Sequence, residues 1–258
     1  MDGSLLLRIE DTDLQRCTPV FEQRMLEDLA WLGIKWVEPP RRQSAHFATY
    51  REVIEILQDA DLVYPAFLSR AEVQDIIARH EENGKLWPKD PDGVPHYPDD
   101  DRQLDPMVRQ QRIANNEPYA LRLNMKAAQQ FIGKELFWDE IGMNNESQAI
   151  LAKPEAWGDI VLARKDAPAS YHLASVVDDE IQGITHVVRG RDLYWSTSVH
   201  RLLQQLLGYA TPIYFHHQLI LDDDGRKLSK SRNDTAIAEL RSAGTTPQDI
   251  KKMIGLAD

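Results

Sequence analysis

Ser4 to Ile9 (SLLLRI) is a short apolar run that stops abruptly on acids, which predicts a buried parallel strand whose C-terminal end meets polar groups. Phe21, Met25, Leu29 and Leu32 then recur at helical spacing, with Gly33 placed to end the helix. Phe47, Tyr50, Ile54 and Leu57 predict a second amphipathic helix. From Tyr64 the pattern changes. Ser69 and Glu72 form a capping box for a polar helix ending near Gly84. Trp87 to Pro106, with five prolines and six aspartates, predicts an irregular surface loop. Tyr119 to Met125 alternates as a strand does, and Ala149 to Leu151 is a further short candidate.

The first pattern resumes at Gly158. DIVLAR, SYHLASVVDD and ITHVVRG are apolar, β-branched runs that each close on polar residues. Val199, Leu202, Leu203, Leu206 and Leu207 predict a helix ended by Gly208, and Tyr214 to Leu221 a strand leading into DDDGRKLSKS. Strands alternating with helices predict an α/β fold, with residues 63–152 inserted between two halves of one sheet. Ligands of such sheets gather at the C-terminal ends of strands, so the residues after each run are the candidates for chemistry.

Composition narrows the setting. The 258 residues, 42% hydrophobic and 28% charged, suit one large domain or one domain with an insertion. No apolar run approaches the roughly 20 residues that span a bilayer. Acids stand near the start where a secretory signal places cations. The single cysteine, Cys17, rules out an internal disulfide and a multi-cysteine zinc site. A soluble, cytoplasmic, monomeric protein is expected. The net charge of −11 argues against a generally basic nucleic-acid coat but leaves room for a local basic groove, and Arg226, Lys227, Lys230 and Arg232 do cluster. No G-x-G-x-x-G follows a strand, which argues against a dinucleotide oxidoreductase.

Lys227 and Lys230 flank Leu228, with Ser229 and Ser231 beside them and Gly225 as a flexible lead-in. Two ammonium groups on a loop that closes over a triphosphate can stabilise charge developing on a transferring phosphoryl centre, and hydroxyls add hydrogen bonds. The plain alternative is a solvated charged turn. The preceding strand and DDDG turn favour the phosphate loop, and KLSKS resembles the KMSKS motif of class I aminoacyl-tRNA synthetases. RIEDTD supplies Arg8, Glu10, Asp11 and Asp13 at a strand end, where acids can accept a substrate ammonium group or merely serve a helix N-terminus. Tyr171 begins YHLASVVDD and Arg189 ends ITHVVRG. An arginine fork grips a carboxylate in two places, and a tyrosine hydroxyl can complete the contact. Singly, each is as well explained by packing or an ion pair.

Taken in order, RIEDTD, YHLASVVDD, GITHVVRGRDL and KLSKS resemble the blocks of the glutamyl-tRNA synthetase family across nearly the whole chain. The resemblance implies a Rossmann-like catalytic domain that makes glutamyl-adenylate from ATP with Mg²⁺. It implies that Glu10, Tyr171 and Arg189 hold glutamate, and that Lys227, Ser229 and Lys230 serve ATP, the two lysines catalytically. It divides the chain into a first catalytic part at 1–62, an acceptor-binding-type insertion at 63–152, a second catalytic part at 153–235 and a short helical segment at 236–258. A full-length member continues into an anticodon-binding region. The short C-terminal end and the wording RGRDL resemble the shortened branch of the family, which attaches glutamate to a cyclopentene hydroxyl of the queuosine base in tRNA(Asp). The alternatives are a fragment of a true glutamyl-tRNA synthetase and a catalytically silent module that holds tRNA or a protein.

Two departures from the family pattern stand out. Many relatives carry a zinc site, YPCFC followed by YPGTCR. Here the three cysteine positions hold Ala66, Leu68 and Asp101, so zinc is expected to be absent. The resemblance also begins at the second family strand, without the APSPTG-like segment and HIGH-type histidine motif of the first. A misplaced start is the simplest account of that gap, with truncation and a degenerate paralogue as the alternatives; the chain as written is expected to be a poor catalyst or none, and loss of an inner strand should expose apolar surface.

Overall fold

The computed structural model describes residues 3–14, 17–142, 144, 146–222, 224–226 and 236–256. The chain opens with β1 (Leu6–Ile9), α1 (Pro19–Trp31) and β2 (Val37–Arg42), followed by α2 (Phe47–Asp59), β3 (Val63–Ala66) and α3 (Arg70–Glu81). Next come α4 (Pro106–Ala114), β4 (Ala120–Leu123), α5 (Met125–Ile132), β5 (Phe137–Ile141) and β6 (Ser147–Leu151). The remainder is β7 (Val161–Arg164), α6 (Tyr171–Ile181), β8 (His186–Gly190), α7 (Thr197–Leu207), β9 (Ile213–His217), α8 (Ile237–Ser242) and α9 (Pro247–Met253). Internal contacts divide the chain into two units, residues 1–45 with 218–258, and residues 46–217. The expected insertion at 63–152 lies inside the second.

In the first unit, β1 and β2 pair in parallel, with Leu6 opposite Val37 and Arg8 opposite Arg41. Pro39 and Pro40 are tolerated in β2 because β1 is its only partner among the described strands, which leaves one edge without need of N–H donors. The carboxylate of Asp11, just past β1, is buried; it accepts hydrogen bonds from the Ser44 amide at 2.8 Å and the Ser44 hydroxyl at 2.6 Å. Part of the RIEDTD acid cluster is therefore structural, tying the end of β1 to the turn after β2. Helix α1 has Pro19 in its first turn and Gly33, at φ +79°, after its end. It buries no residue, and Phe21 and Met25 are 52% and 38% exposed. Arg241 of α8 lies 3.5 Å from the Asp28 carboxylate and covers the Trp31 ring at 5.9 Å.

The second unit carries a three-stranded antiparallel sheet in the order β3-β4-β7 and a four-stranded mixed sheet in the order β6-β5-β9-β8. In the latter β5 and β6 are antiparallel, while β9 runs parallel to both β5 and β8. One core joins Tyr50 and Leu57 of α2, Trp138 of β5, Leu173 of α6, Leu202 of α7 and Tyr214 of β9. At its base the Tyr50 hydroxyl donates to the fully buried Asp178 carboxylate, 3.0 and 2.9 Å from its two oxygens.

Several expectations met their elements: α2, the capped helix α3, β4, β6, α7 with Gly208 at φ +70°, and β8. Others need correction. SYHLASVVDD is not extended; it is α6, capped by the Ser170 hydroxyl on the Leu173 amide. Its residues from Leu173 to Asp179 are all buried, Ser175, Asp178 and Asp179 among them, so no solvent-facing polar stripe marks the 3.6-residue period. Trp87 to Asp105 lacks helix and strand apart from an isolated bridge, as expected, while Pro106 already opens α4; yet Tyr97 and Asp101 within the stretch are buried. Finally, β9 ends at His217, four residues short of Leu221.

Candidate functional site

Tyr171 is the first residue of α6, and Arg189 the fourth of β8. The two were read as belonging to similar elements and in fact come from a helix start and a strand end, yet they meet. Arg189 Nη1 donates to the Tyr171 hydroxyl at 3.1 Å. The parallel register sets Arg189 directly opposite His216 of β9, so both side chains leave the same face, and Arg189 Nε donates to His216 Nε2 at 3.0 Å. Arg189 Nη2 donates to the Leu193 carbonyl at 3.2 Å and the Thr197 hydroxyl at 2.6 Å, and Nη1 also to His200 Nδ1 at 3.3 Å. A guanidinium has five N–H groups, and five protein acceptors meet them. The fork is thus aimed before any ligand arrives, and its plane is backed by the Tyr214 ring at 5.2 Å.

Behind the fork stands Glu140 of β5. Its oxygens lie 2.9 Å from His216 Nδ1, and one also accepts the His216 amide at 3.0 Å. The His216 side chain is fully buried. On the other flank His172 packs against the Trp157, Tyr171 and His200 rings at 5.5, 5.6 and 5.4 Å. Its Nδ1 and the nearby Ser175 hydroxyl are sealed from water with no hydrogen-bond partner among the described residues. Burial first, and the charge of Arg189 second, push the His172 imidazole down to about 4, so it is neutral at neutral pH. His216, Glu140, Thr197, His200 and Ser175 were not singled out from the sequence. For His216 a signal existed, since strand alternation puts it on the face of Tyr214. Glu140, two strands away from Arg189, offered none.

Glu10 lies in the other unit, exposed, directly after β1; its carbonyl accepts a weak bond from the Cys17 thiol at 3.7 Å. Lys227, Ser229 and Lys230 lie outside the described residues. What is described of their lead-in is a closed turn. The Asp222 amide donates to the Arg226 carbonyl at 2.8 Å, and the Asp222 carboxylate accepts the Asp224 and Arg226 amides at 3.1 and 2.7 Å.

The positions of the family zinc site do not suit a metal. Ala66 and Leu68 carry no ligating atom. Asp101 spends one carboxylate oxygen on three donors: the Phe67 amide at 2.6 Å, the Leu68 amide at 2.9 Å and the Tyr97 hydroxyl. Three filled hydrogen bonds leave that oxygen little to offer a cation.

The profile of a family described as tRNA synthetases class I (E and Q), catalytic domain, matches residues 1–257. A glutamyl-Q tRNA(Asp) synthetase of Rhodobacter capsulatus is 40% identical over 98% of this chain and 88% of its own length. A glutamate–tRNA ligase of a Synechococcus strain is 34% identical over 98% of this chain, which spans about half of that protein (50%). Among solved structures, a glutamate tRNA ligase from Elizabethkingia meningosepticum in complex with its amino acid is similar at a TM-score of 0.70 and 28% identity, over 89% of this chain and 45% of the other. A glutamate-tRNA synthetase from Elizabethkingia anophelis gives 0.71 and 28%, over 90% and 47%. With a profile match over nearly its whole length and a fold that sets an arginine fork at the end of a parallel strand, the chain belongs to the class I tRNA synthetase (E and Q) catalytic-domain family.

Proposed function

We propose that this chain activates L-glutamate with ATP and transfers it to the queuosine base of tRNA(Asp). The observation that carries the amino-acid half is the preset Arg189 fork with the Tyr171 hydroxyl 3.1 Å away. In this reading Arg189 and Tyr171 take the side-chain carboxylate, because the α-carboxylate must be free to react. An α-carboxylate oxygen attacks the α-phosphorus of ATP and pyrophosphate leaves, giving glutamyl-adenylate. A hydroxyl of the queuosine cyclopentene then attacks the acyl carbon and AMP leaves. Glu10 receives the substrate ammonium group, and Lys227, Ser229 and Lys230 bind the triphosphate, whose charge Mg²⁺ shares when bound. Glutamine is rejected because its neutral amide forgoes the charge attraction between a carboxylate and the Arg189 guanidinium. The domain division follows the family, with catalytic parts at 1–62 and 153–235, an acceptor-binding insertion at 63–152 and a short helical segment at 236–258. A cytoplasmic monomer fits this role, and no described helix is long and apolar enough to cross a membrane.

The choice of acceptor is supported by similarity over 88% of the length of a glutamyl-Q tRNA(Asp) synthetase. The test has two stages. Glutamate-dependent ATP–pyrophosphate exchange is expected, and its absence overturns the reading. Labelled glutamate is then offered to queuosine-containing tRNA(Asp) and to tRNA(Glu). Transfer to the former alone supports the proposal, and transfer to the latter alone favours the second reading, a glutamate–tRNA ligase catalytic region.

A further inference from the structure

We infer that His216, held by Glu140, is a positioning residue for the Arg189 fork, and that amino-acid binding therefore requires the neutral, Nδ1-protonated form of His216. The inference rests on the reading that Arg189 takes a glutamate carboxylate.

The protonation state follows from the partners at both ends of the ring. Glu140 presents carboxylate oxygens 2.9 Å from Nδ1, so Nδ1 carries a proton to donate. At the other end Nε2 faces Arg189 Nε at 3.0 Å, a group that is only ever a donor, so Nε2 must be the lone pair. The Thr197 hydroxyl, 3.3 Å from the same nitrogen, already accepts from Arg189 Nη2 and can point its own proton at Nε2. One oxygen of Glu140 also accepts the His216 amide, and the other the Trp138 indole N–H at 3.3 Å, so the carboxylate is fixed and fixes the ring in turn.

A second proton on His216 would undo this. Nε2–H would meet Nε–H, donor against donor and cation against cation, and the fork could not keep its aim. The groups facing His216 are Glu140 from β5, Arg189 from β8, Arg191 from the turn that follows, the Tyr194 ring edge at 5.1 Å, and the Tyr214 ring stacked on it at 6.0 Å. His200 contacts Arg189 in turn. Burial is the largest influence and lowers the His216 pKa; Glu140 opposes it and the two arginines assist, leaving the net direction downward. Glutamate affinity is therefore at its full value at neutral pH and falls as the pH drops below the ordinary histidine range.

Calorimetry and NMR on the full chain test this. Glutamate binding is followed by calorimetry between pH 7.5 and pH 5. His216→Leu removes the acceptor and is expected to weaken binding about tenfold at pH 7.5, the worth of one hydrogen bond to a charged group. His216→Gln offers an amide oxygen that never titrates. It should restore binding to within about threefold and flatten the pH dependence. Glu140→Ala frees the tautomer and should weaken binding with His216 intact. Because His216 is buried and these variants can fail to fold, ¹⁵N NMR of the unaltered chain reads the ring directly. The pattern expected at neutral pH is a protonated Nδ1 and a bare Nε2; a proton on Nε2 overturns the inference without any variant. Arg189→Ala separates the two levels. If it binds glutamate as the unaltered chain does, or if the unaltered chain binds none, the functional reading and this inference fall together. If Arg189→Ala abolishes binding while folded His216→Leu and His216→Gln both match the unaltered chain, only the role of His216 falls.

Discussion

The carboxylate of Asp101 lies 2.6 Å from the Phe67 amide and 2.9 Å from the Leu68 amide, so one side chain pins the turn after β3 to the loop 34 and 33 residues further on. Tyr97 adds its hydroxyl to the same oxygen, and Arg112 stands 3.5 Å from the other. This turn and loop are therefore stapled by hydrogen bonds. Asp101→Ala strips the Phe67 amide and the Tyr97 hydroxyl of their acceptor, leaves the Leu68 amide only the Tyr97 hydroxyl, and is expected to cost about 2–5 kcal/mol, seen as a lower urea midpoint. Added zinc should leave the midpoint of the unaltered chain unchanged; a zinc-dependent rise would refute the hydrogen-bonded staple.

A second prediction concerns acid stability. The folded chain holds His172 neutral down to about pH 4, against an ordinary histidine value of 6.5. The unfolded chain takes up that proton first. The stability tied to His172 is therefore intact above pH 6.5 and lost as the pH falls towards 4, by roughly 3 kcal/mol over the whole window. Urea titrations of the unaltered chain and of His172→Phe at several pH values give the difference. Parallel pH slopes for the two proteins would show that His172 contributes nothing.

Gly158 sits at φ +59°, ψ −158°, a region that side chains hardly enter, and a Cβ there would lie 2.7 Å from His96 Cγ. His96 cannot swing aside freely, because its Nε2 is 3.0 Å from the Ala156 carbonyl. Gly158→Ala is expected to destabilise by about 2–4 kcal/mol through strain and displacement together. Circular dichroism melts would show it, and an unchanged melting temperature would contradict it.

If Arg189 and Tyr171 hold the glutamate side chain, Tyr171→Phe removes one contact made alike in ground state and transition state. Its signature is a KM for glutamate raised about tenfold with kcat nearly unchanged in pyrophosphate exchange. A fall in kcat at constant KM would place Tyr171 in the chemistry instead.

Much of this was legible in the chain before its fold was known. The RGRDL and YHLASVVDD blocks led to Arg189 and Tyr171, which do meet, although one block was taken for a strand. Local signals sufficed where amphipathic spacing was clean, as in α2 and α7, or where a cap was explicit, as at Ser69. They failed where tertiary burial overrides local pattern. Buried all round from Leu173 to Asp179, α6 shows no solvent-facing polar stripe. With two prolines, β2 has no strand-like composition and pairs all the same, because it needs to bond along one edge only. The partners that orient Arg189 come from β5, β9 and α7, and nothing in one-dimensional spacing announces that a glutamate at 140 will stand behind a histidine at 216.

The division of the chain also says something about the order in which the molecule comes together. The unit of residues 46–217 is one uninterrupted stretch and can collect its contacts as soon as it is made. The other unit is built from both ends, and its contact between Arg241 and Trp31 spans everything between them. Such long-range closure is slow and costly in chain entropy until the intervening residues have condensed. Helix α1 therefore gains its contact with α8 only after residues 46–217 have been made. Glu10 and the Asp222 turn belong to the unit that this long-range closure completes.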